Sequence, residues 1–395
     1  MINNNILLQL TKEHQTPFYI YNGNEIEKQY FKLKKAFSKC SNFQINYAMK
    51  ALNTIGVLQF IQKLGASVDT VSLNEVKIAL LAGFKPHQIG FTPNGTPFNE
   101  IIEAAELGVH VTLDNSIQLK KYAALQNNIP IGIRINPVII AGGNDKIIVA
   151  HKASKFGLAL NKINDINYLI EHHNLKIDGF HIHLGSDVLN LDAFKKSADV
   201  LFSVAKNFKN LKYINFGGGF KVKYKDDDTF LDIDSVGNHL TDVFNTFQKD
   251  YTNDLKLIIE PGKFLVSNAG VFISEITTIK DGIVFVNSGF NHFGRPMYYN
   301  AFHQIRNISN TEKSLQTYAI VGNICEQDTF GKHRDLGKPK VGDIICMENA
   351  GAYSFSMASN YNSRLKPMEL FYYNSKTSVI RKKENFDDLL RNQIY

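Results

Sequence analysis

The sequence predicts an α/β protein that combines a (β/α)8 barrel with a second, mostly antiparallel β domain. Between residues 43 and 264, apolar and β-branched runs alternate with amphipathic runs of helical period, and eight strand signals can be counted. This span is close to the roughly 250 residues that such a barrel requires. After residue 264 strand signals continue without regular helices between them, which favours an antiparallel domain.

The predicted barrel strands are short runs that each end in polar or glycine residues. They lie at residues 43–50, 66–72, 89–94, 109–115, 131–137, 179–186, 213–220 and 255–264. The clearest helices between them are predicted at residues 53–64, 73–83, 97–108 and 116–127.

The second domain is predicted from strand signals at residues 271–280, 283–287, 318–323, 342–347 and 368–373. A further strand signal at residues 16–21 precedes the barrel, and we expect it to pair into this domain. The predicted boundaries are therefore 22–264 for the barrel and 265–395 for the β domain, joined by the N-terminal segment 1–21.

Composition excludes several classes of protein. The chain has 395 residues, of which 44% are apolar and 21% charged, which is typical of a globular protein. No apolar run approaches the roughly 20 residues of a membrane span. The net charge is +7, but the basic residues are scattered, so we expect no nucleic-acid partner and note that an acidic small substrate is compatible. Three cysteines and an N-terminus without a leader pattern predict a cytoplasmic protein without disulfides.

Polar residues at the predicted strand ends indicate an active site, because barrel enzymes place their sites at the carboxyl ends of the strands. A lysine there can become a nucleophilic amine when it loses solvent, although a surface lysine is the simpler interpretation of one such residue. Three successive glycines after the seventh strand can present backbone N–H groups to a phosphate. The relevant residues are Lys50, Asp69, Arg134, His183, Gly217, Gly218, Gly219 and Glu260.

Two of these signals leave alternatives open. Glu260 at a barrel mouth needs a cation or hydrogen bonds, which a protonated ring nitrogen or a structural lysine could provide. His181 and His183 alternate along the sixth strand and could bind a metal, stack on an aromatic cofactor or be ordinary core residues. Because no third ligand has suitable spacing, we predict no metal site.

Several motifs in order along the chain carry a resemblance to a known family. The chain resembles the pyridoxal-phosphate-dependent decarboxylases of the alanine racemase-like fold, from about residue 16 to residue 373. The motifs are YAMKA (47–51), SKFG (154–157), HLGS (183–186), GGG (217–219), EPGK (260–263), GFNHFGRPMYYNAFHQI (289–305), CEQDTF (325–330), GAY (351–353) and ASNYNSR (358–364).

The resemblance implies pyridoxal 5′-phosphate as cofactor and a role for each matching residue. Lys50 resembles the lysine that binds the cofactor as a Schiff base, His183 the imidazole that stacks on its ring, and Glu260 the partner of its ring nitrogen. Asp69 and Arg134 resemble residues that orient the lysine and the ring oxygen. The phosphate cradle maps onto Ser186, Gly217, Gly218, Gly219, Gly262, Lys263 and Tyr353.

The family also implies a homodimer with shared active sites, in which Cys325 and Glu326 come from the other subunit. Cys325 is then a candidate proton donor. A carboxylate rather than an arginine at the ring nitrogen favours decarboxylation over racemisation, because it keeps that nitrogen protonated and electron-withdrawing.

Substrate choice follows from the charges available. An amino acid whose far end carries its own carboxylate and amine needs a cation and an anion there, which Arg295 or Lys263 and Glu326 could supply. Tyr299 and Tyr353 match substrate-binding tyrosines of the family. The expected reaction converts meso-2,6-diaminopimelate to L-lysine and CO2. The family's usual strand-eight motif ends in arginine, whereas this chain has Lys263, which keeps the charge but loses the planar fork.

Two other functions remain open at this stage. One is a related decarboxylase that acts on another carboxylate-bearing amino acid in a siderophore or polyamine pathway. The other is a non-catalytic binding protein of the same fold, against which the presence of all the cofactor residues argues.

Overall fold

The computed structural model describes residues 2–126, 128–139, 150, 154–225, 227–251, 254–312 and 314–394. Strands and helices are numbered separately in chain order. The strands are β1 (Phe18–Asn22), β2 (Phe43–Ala48), β3 (Ser67–Thr70), β4 (Ile89–Phe91), β5 (His110–Leu113), β6 (Ile131–Asn136), β7 (Leu158–Ala159), β8 (Ile177–Ile182), β9 (Tyr213–Asn215), β10 (Lys256–Ile259), β11 (Gly270–Lys280), β12 (Ile283–Val286), β13 (Ile305–Asn307), β14 (Leu315–Val321), β15 (Thr329–Gly337), β16 (Ile344–Met347), β17 (Met368–Tyr373) and β18 (Lys376–Arg381). The helices are α1 (Asn4–Glu13), α2 (Gly23–Ala36), α3 (Ile55–Lys63), α4 (Leu73–Leu81), α5 (Phe98–Glu106), α6 (Ser116–Ala124), α7 (Ile163–His173), α8 (Leu191–Ala205), α9 (Ile233–Gln248), α10 (Lys263–Val266), α11 (Arg295–Tyr299) and α12 (Phe386–Leu390).

Parallel strands of the first sheet close into a barrel. Within the described residues the order is β2, β3, β4, β5, β6, β8, β9 and β10, and β10 pairs with β2 to complete the ring. The predicted barrel is thus confirmed, with a strand at each of the eight predicted places. Most strands are shorter than predicted, because the polar residues at their carboxyl ends belong to the loops that follow.

Amphipathic helices cover the barrel and begin at polar caps. Helix α5 buries Ile101, Ala104 and Ala105 on one face, which is the 3–4 spacing of a helix that packs on a sheet. Ser72 accepts a hydrogen bond from the backbone N–H of Glu75 at the start of α4, and Asn115 and Asn190 cap α6 and α8 in the same way. The predicted helices at 53–64, 73–83, 97–108 and 116–127 are α3 to α6, with residue 127 outside the described residues.

Strand β7 also belongs to the first sheet, where it pairs with β6. The other strands of the described residues form a second sheet, in the order β15-β14-β12-β11-β1-β17-β18, with β16 pairing to β11 and β13. Most pairings are antiparallel, as predicted, but β1–β17 and β12–β14 are parallel. Strand β1 lies between β11 and β17, and its Phe18 and Ile20 are fully buried. Helix α1, which the sequence analysis did not predict, adds Leu7 and Leu10 to the same core.

The chain divides into two compact units. One comprises Gln29–Val222 and Thr229–Phe264 and contains the barrel; the other comprises Met1–Lys28, Lys223–Asp228 and Leu265–Tyr395 and contains the second sheet. These units differ from the predicted ranges at residues 22–28 and 223–228. None of the helices in the described residues combines the length and the apolar composition needed to cross a bilayer.

Candidate active site

Lys50 and Asp69 lie at the carboxyl ends of neighbouring barrel strands. Lys50 follows β2 in a short 3-10 turn, and its Nζ is 3.7 Å from Oδ2 of Asp69 on β3. Thr92 donates a hydrogen bond to Oδ1 of Asp69. Burial, and then the charge of Glu260, raises the pKa of Asp69 to about 8, although Lys50 acts in the opposite direction. The amine and this carboxyl group are therefore electrostatically linked, and the role of Asp69 in orienting Lys50 stays a prediction.

Two N–H donors hold the buried carboxylate of Glu260. Asn215 Nδ2 donates to Oε1 at 2.6 Å, and His181 Nε2 lies 3.0 Å from Oε2. Burial alone would raise the pKa of Glu260, but His181, through its charge and hydrogen bond, and then Lys50 lower it to about 2. Glu260 is thus an ionised carboxylate inside the barrel, which is what a protonated ring nitrogen requires as a partner.

His183 is held in one neutral form. The backbone N–H of Gly218 donates to His183 Nδ1 at 3.1 Å, and because an N–H can only donate, this nitrogen carries no proton. Burial, followed by the charges of Arg134 and Lys50, lowers the pKa of His183 well below its ordinary value. An uncharged imidazole with its proton on Nε2 presents a flat face suited to contact with an aromatic ring.

The three glycines form a turn that has no room for side chains. A Cβ at Gly217 would lie 2.5 Å from the carbonyl oxygen of Ile182, and one at Gly218 would lie 2.2 Å from that of Glu260. Gly217 and Gly219 have φ of +62° and +106°, which glycine adopts without strain. The N–H of Gly217 donates to Asn215 Oδ1 and that of Gly218 donates to His183 Nδ1, and the role of the turn as a phosphate cradle stays a prediction.

Further predicted cofactor residues border this turn. Ser186 lies in the loop after β8, and a Cβ at Gly262 would be 3.2 Å from Ala48, just before Lys50. Lys263 is buried, and its Nζ lies 2.8 and 2.9 Å from the two carboxylate oxygens of Asp187. The lysine that the sequence analysis offered to the substrate carboxylate is thus already paired with an acidic side chain.

Arg134, predicted to contact the cofactor's ring oxygen, is buried on β6. Its guanidinium lies 4.7 Å from the ring centre of Phe156, a residue of the SKFG motif. Stacking of this kind fixes the plane of a guanidinium without neutralising its charge. The side chain is therefore a fixed cation at the carboxyl end of its strand.

These groups fit pyridoxal 5′-phosphate. The steric test is the glycine turn: added Cβ atoms would collide with backbone oxygens, so the turn has no side chains that could stand between its backbone and a phosphate. The chemical test is the set of an amine, an ionised carboxylate and a neutral imidazole at neighbouring strand ends. Lys50, Glu260 and His183 are the groups that would hold the aldehyde, the ring nitrogen and the ring face.

The second unit carries a buried guanidinium held by uncharged groups. Arg295 donates from Nε to His303 Nε2 at 3.4 Å and from Nη2 to the hydroxyl of Tyr224 at 3.3 Å. His303 Nδ1 donates to the carbonyl of Glu348, so its Nε2 is the unprotonated acceptor. The guanidinium also lies 5.7 Å from the ring centre of Tyr299. Arg295 and Tyr299, predicted together, are therefore neighbours.

Cys325 and Glu326 are exposed, and two residues of the ASNYNSR motif hold them. Asn362 accepts from the backbone N–H of Cys325 and donates to its Sγ at 3.1 Å. Tyr361 donates to Glu326 Oε1 at 2.7 Å, and this hydrogen bond is the main reason why the pKa of Tyr361 rises to about 12. Tyr353, predicted to reach the phosphate, has a φ of +54° in this unit, and its role stays a prediction.

Sequence reasoning missed Asn215, Asp187 and Tyr361 as site residues. Asn215 ends β9 two residues before the glycines, and Asp187 directly follows the HLGS motif, so their positions at strand ends were the available signal. Asn215 contacts Glu260, and Asp187 contacts Lys263. The spacing of residues along the sequence does not predict these contacts.

The site combines a barrel, a glycine turn, a lysine and a carboxylate that is held by two hydrogen bonds. Together these features define the class of pyridoxal-phosphate-dependent enzymes built on a barrel. Residues 23–267 match the model of the pyridoxal-dependent decarboxylases, pyridoxal binding domain. The chain is 32% identical to the diaminopimelate decarboxylase of Methanothermobacter thermautotrophicus, over 98% of this chain and 93% of that protein. It is 33% identical to the enzyme of the same name from Campylobacter jejuni, over 96% of each chain.

A solved structure is similar to this chain over nearly its whole length. Diaminopimelate decarboxylase from Helicobacter pylori, complexed with L-lysine, matches with a TM-score of 0.89 and 32% identity over 98% of each chain. The chain therefore belongs to the diaminopimelate decarboxylase family of pyridoxal-dependent decarboxylases. It is a carboxy-lyase, and its cofactor is pyridoxal 5′-phosphate.

Proposed function

We propose that this protein catalyses the decarboxylation of meso-2,6-diaminopimelate to L-lysine and CO2, the last step of lysine biosynthesis. The relatives that carry this name and the lysine complex of the Helicobacter pylori protein support the proposal. The observation that carries it is Arg295, a buried guanidinium whose hydrogen-bond partners His303 and Tyr224 are uncharged. A carboxylate at the far end of the substrate would complete this arrangement, and lysine or ornithine has no such group.

The cofactor, when bound, supplies the electron sink that accepts the electron pair left by the departing CO2. The chain supplies the environment of that sink. Glu260, ionised and held by His181 and Asn215, would keep the ring nitrogen protonated. Asp69 faces the amine of Lys50 and can exchange a proton with it, since its raised pKa lies near neutrality. Cys325 Sγ would deliver the proton that replaces the lost carboxyl group.

Substrate specificity is tested with CO2 release from meso-diaminopimelate, L-lysine and L-ornithine. We expect turnover of diaminopimelate alone and a loss of at least about 100-fold in kcat/KM for Arg295→Ala, because a bidentate ion pair in a buried site is removed. Exposed Arg391, paired with Asp388 in a helical turn, gives the control Arg391→Ala, which should behave as wild type. Preference for lysine or ornithine, or unchanged kinetics in Arg295→Ala, would reject the proposed substrate.

We propose further that the protein is a homodimer in which Cys325 and Glu326 serve the partner's barrel. Their exposure in a single chain, despite the bonds to Tyr361 and Asn362, supports this assignment. Two inactive variants, Lys50→Met and Cys325→Ala, can be mixed and allowed to exchange subunits. Half of the dimers would then be mixed and would each have one complete site, so about a quarter of wild-type activity should return. No recovery, despite proven exchange, would place both residues in one chain's site.

We also propose a cytoplasmic location. None of the three cysteines, Cys40, Cys325 and Cys346, forms a disulfide, and the exposed thiol of Cys325 must stay reduced to act as a proton donor.

A further inference from the structure

Two segments of the barrel unit enclose the glycine turn from opposite sides. On one side is the loop after β8, where a Cβ on Gly219 would come within 2.5 Å of the carbonyl oxygen of Gly185. On the other side is the segment after β10, where a Cβ on Gly218 would come within 2.2 Å of the carbonyl oxygen of Glu260. The glycine turn is therefore packed against both segments.

Backbone hydrogen bonds fix each segment to the turn separately. The N–H of Val188 donates to the carbonyl of Gly219 at 2.9 Å, and the N–H of Glu260 donates to the carbonyl of Gly217 at 2.7 Å. These bonds connect each segment to the glycines, but neither connects one segment to the other.

One ion pair does connect them. Lys263, three residues after Glu260, places its Nζ between the two carboxylate oxygens of Asp187, at 2.8 and 2.9 Å. The side chains of Lys263 and Asp187 are only 7% and 18% exposed, so water screens the pair weakly. An ammonium that faces both oxygens of one carboxylate is largely neutralised and is a poor receptor for a second carboxylate.

We propose that Asp187 and Lys263 are positioning residues for the cofactor's phosphate, acting as a tie across the glycine turn. In this assignment Lys263 does not receive the substrate carboxylate, and Arg295 is left as the guanidinium for that purpose. The part that concerns Arg295 rests on the proposed function, whereas the part that concerns the phosphate rests on cofactor binding alone.

Cofactor binding separates this proposal from a role for Lys263 in substrate binding. Apo-protein is titrated with pyridoxal 5′-phosphate and with pyridoxal, which lacks the phosphate, and binding is followed by absorbance. Asp187→Asn and Lys263→Met should each weaken binding of the phosphorylated ligand by at least about tenfold, because each leaves a buried charge without its partner. Binding of pyridoxal should change by less than about twofold. Lys263→Arg, which preserves the pair, should stay close to wild type.

The double variant Asp187→Asn/Lys263→Met provides the second measurement, since it removes both charges together. It should bind the cofactor more tightly than the product of the two single losses predicts, because residues in direct contact are not additive. If a single variant fails to fold, the double variant still provides the comparison between pyridoxal 5′-phosphate and pyridoxal. Strictly additive losses, or equal losses for pyridoxal, would overturn the tie.

Steady-state kinetics at saturating cofactor complete the comparison. The tie predicts that the KM for diaminopimelate is unchanged in both single variants. If Lys263 instead binds substrate, Lys263→Met should raise the KM for diaminopimelate and leave cofactor affinity intact. Asp187→Asn should lower the same KM, because it frees the ammonium group of Lys263. This pattern would overturn our assignment. A wild-type protein that binds cofactor but releases no CO2 from diaminopimelate would refute the proposed function and leave the binding result standing.

Discussion

The hydrogen bonds on Glu260 make a quantitative prediction about the acid limit of activity. Each bond from Asn215 or His181 to the ionised carboxylate is worth about 1.5–3 kcal/mol, which corresponds to about 1–2 pKa units. The double variant His181→Phe/Asn215→Ala removes both bonds, so the pKa of Glu260 should rise by about 2–4 units. Because its present value is about 2, the carboxylate of the double variant should titrate between about 4 and 6.

The sign of the effect follows from the form that is active. In the role that we propose for it, Glu260 must be ionised to keep the ring nitrogen protonated, so a higher pKa moves the loss of activity on the acid side to a higher pH. The assay is CO2 release as a function of pH, with log kcat/KM plotted between pH 4 and pH 9. In this range the titration of Glu260 should cause no fall of log kcat/KM in the wild type. Each single variant should show at most the beginning of an acid-side fall. The double variant should show a clear one.

Asn46→Ala is the matched control. Asn46 is also a buried asparagine on a barrel strand, but its side chain accepts a hydrogen bond from Gln44. It should cost stability without moving the acid limb. The reasoning would be refuted if the acid-side fall in log kcat/KM stayed at the wild-type pH in the double variant, or if it moved equally far in Asn46→Ala.

Three further perturbations test other parts of the structure. Lys50→Met should leave a folded protein that develops no yellow chromophore with excess cofactor; a persisting chromophore would remove Lys50 from its role. Gly218→Ala should weaken cofactor binding by at least about tenfold, since its Cβ would lie 2.2 Å from a backbone oxygen. The control is Gly282→Ala, which should bind the cofactor normally. Gly282 has a left-handed backbone conformation like that of Gly217, but a Cβ there would meet no atom within 4 Å. Burial lowers the pKa of His292 to about 4, so its contribution to stability is present above pH 6.5 and is lost as pH falls toward 4. Urea unfolding should show a loss of about 2 kcal/mol between pH 7 and pH 5 that is absent in His292→Gln, and an identical pH dependence in both proteins would contradict it.

The barrel could be predicted from the sequence because strand and helix periods alternate clearly within it. The second sheet was predicted less completely. Strand β15, with the sequence TFGKHRDLG, and strand β18, with KTSVIR, carry so many polar residues that they show no strand signal, because much of their surface is exposed. Helix α1 was not predicted because Leu7 and Leu10 show only a short apolar period in the segment before residue 16.

For the site, residue types at strand ends indicated the chemistry but not the hydrogen bonds. Glu260 was expected to need a cation or hydrogen bonds, but the sequence did not indicate that Asn215 and His181 hold it. Lys263 was predicted to contact both the cofactor and the substrate, but its ion pair with Asp187 was not predicted. Asp187 lies in a loop and has a left-handed backbone conformation. Such contacts depend on loop backbone conformations, for which sequence patterns carry little information.

The place of β1 in the second sheet has a consequence for biosynthesis. The parallel neighbour of this strand, β17, is translated about 350 residues after it, as the register Phe18↔Met368 shows. All eight barrel strands are translated before β17, so the barrel can form while β1 still lacks this neighbour. Nascent chains stalled before residue 368 should therefore expose the edge of β1 that β17 covers to chaperones and proteases, and synthesis of β17 should protect it.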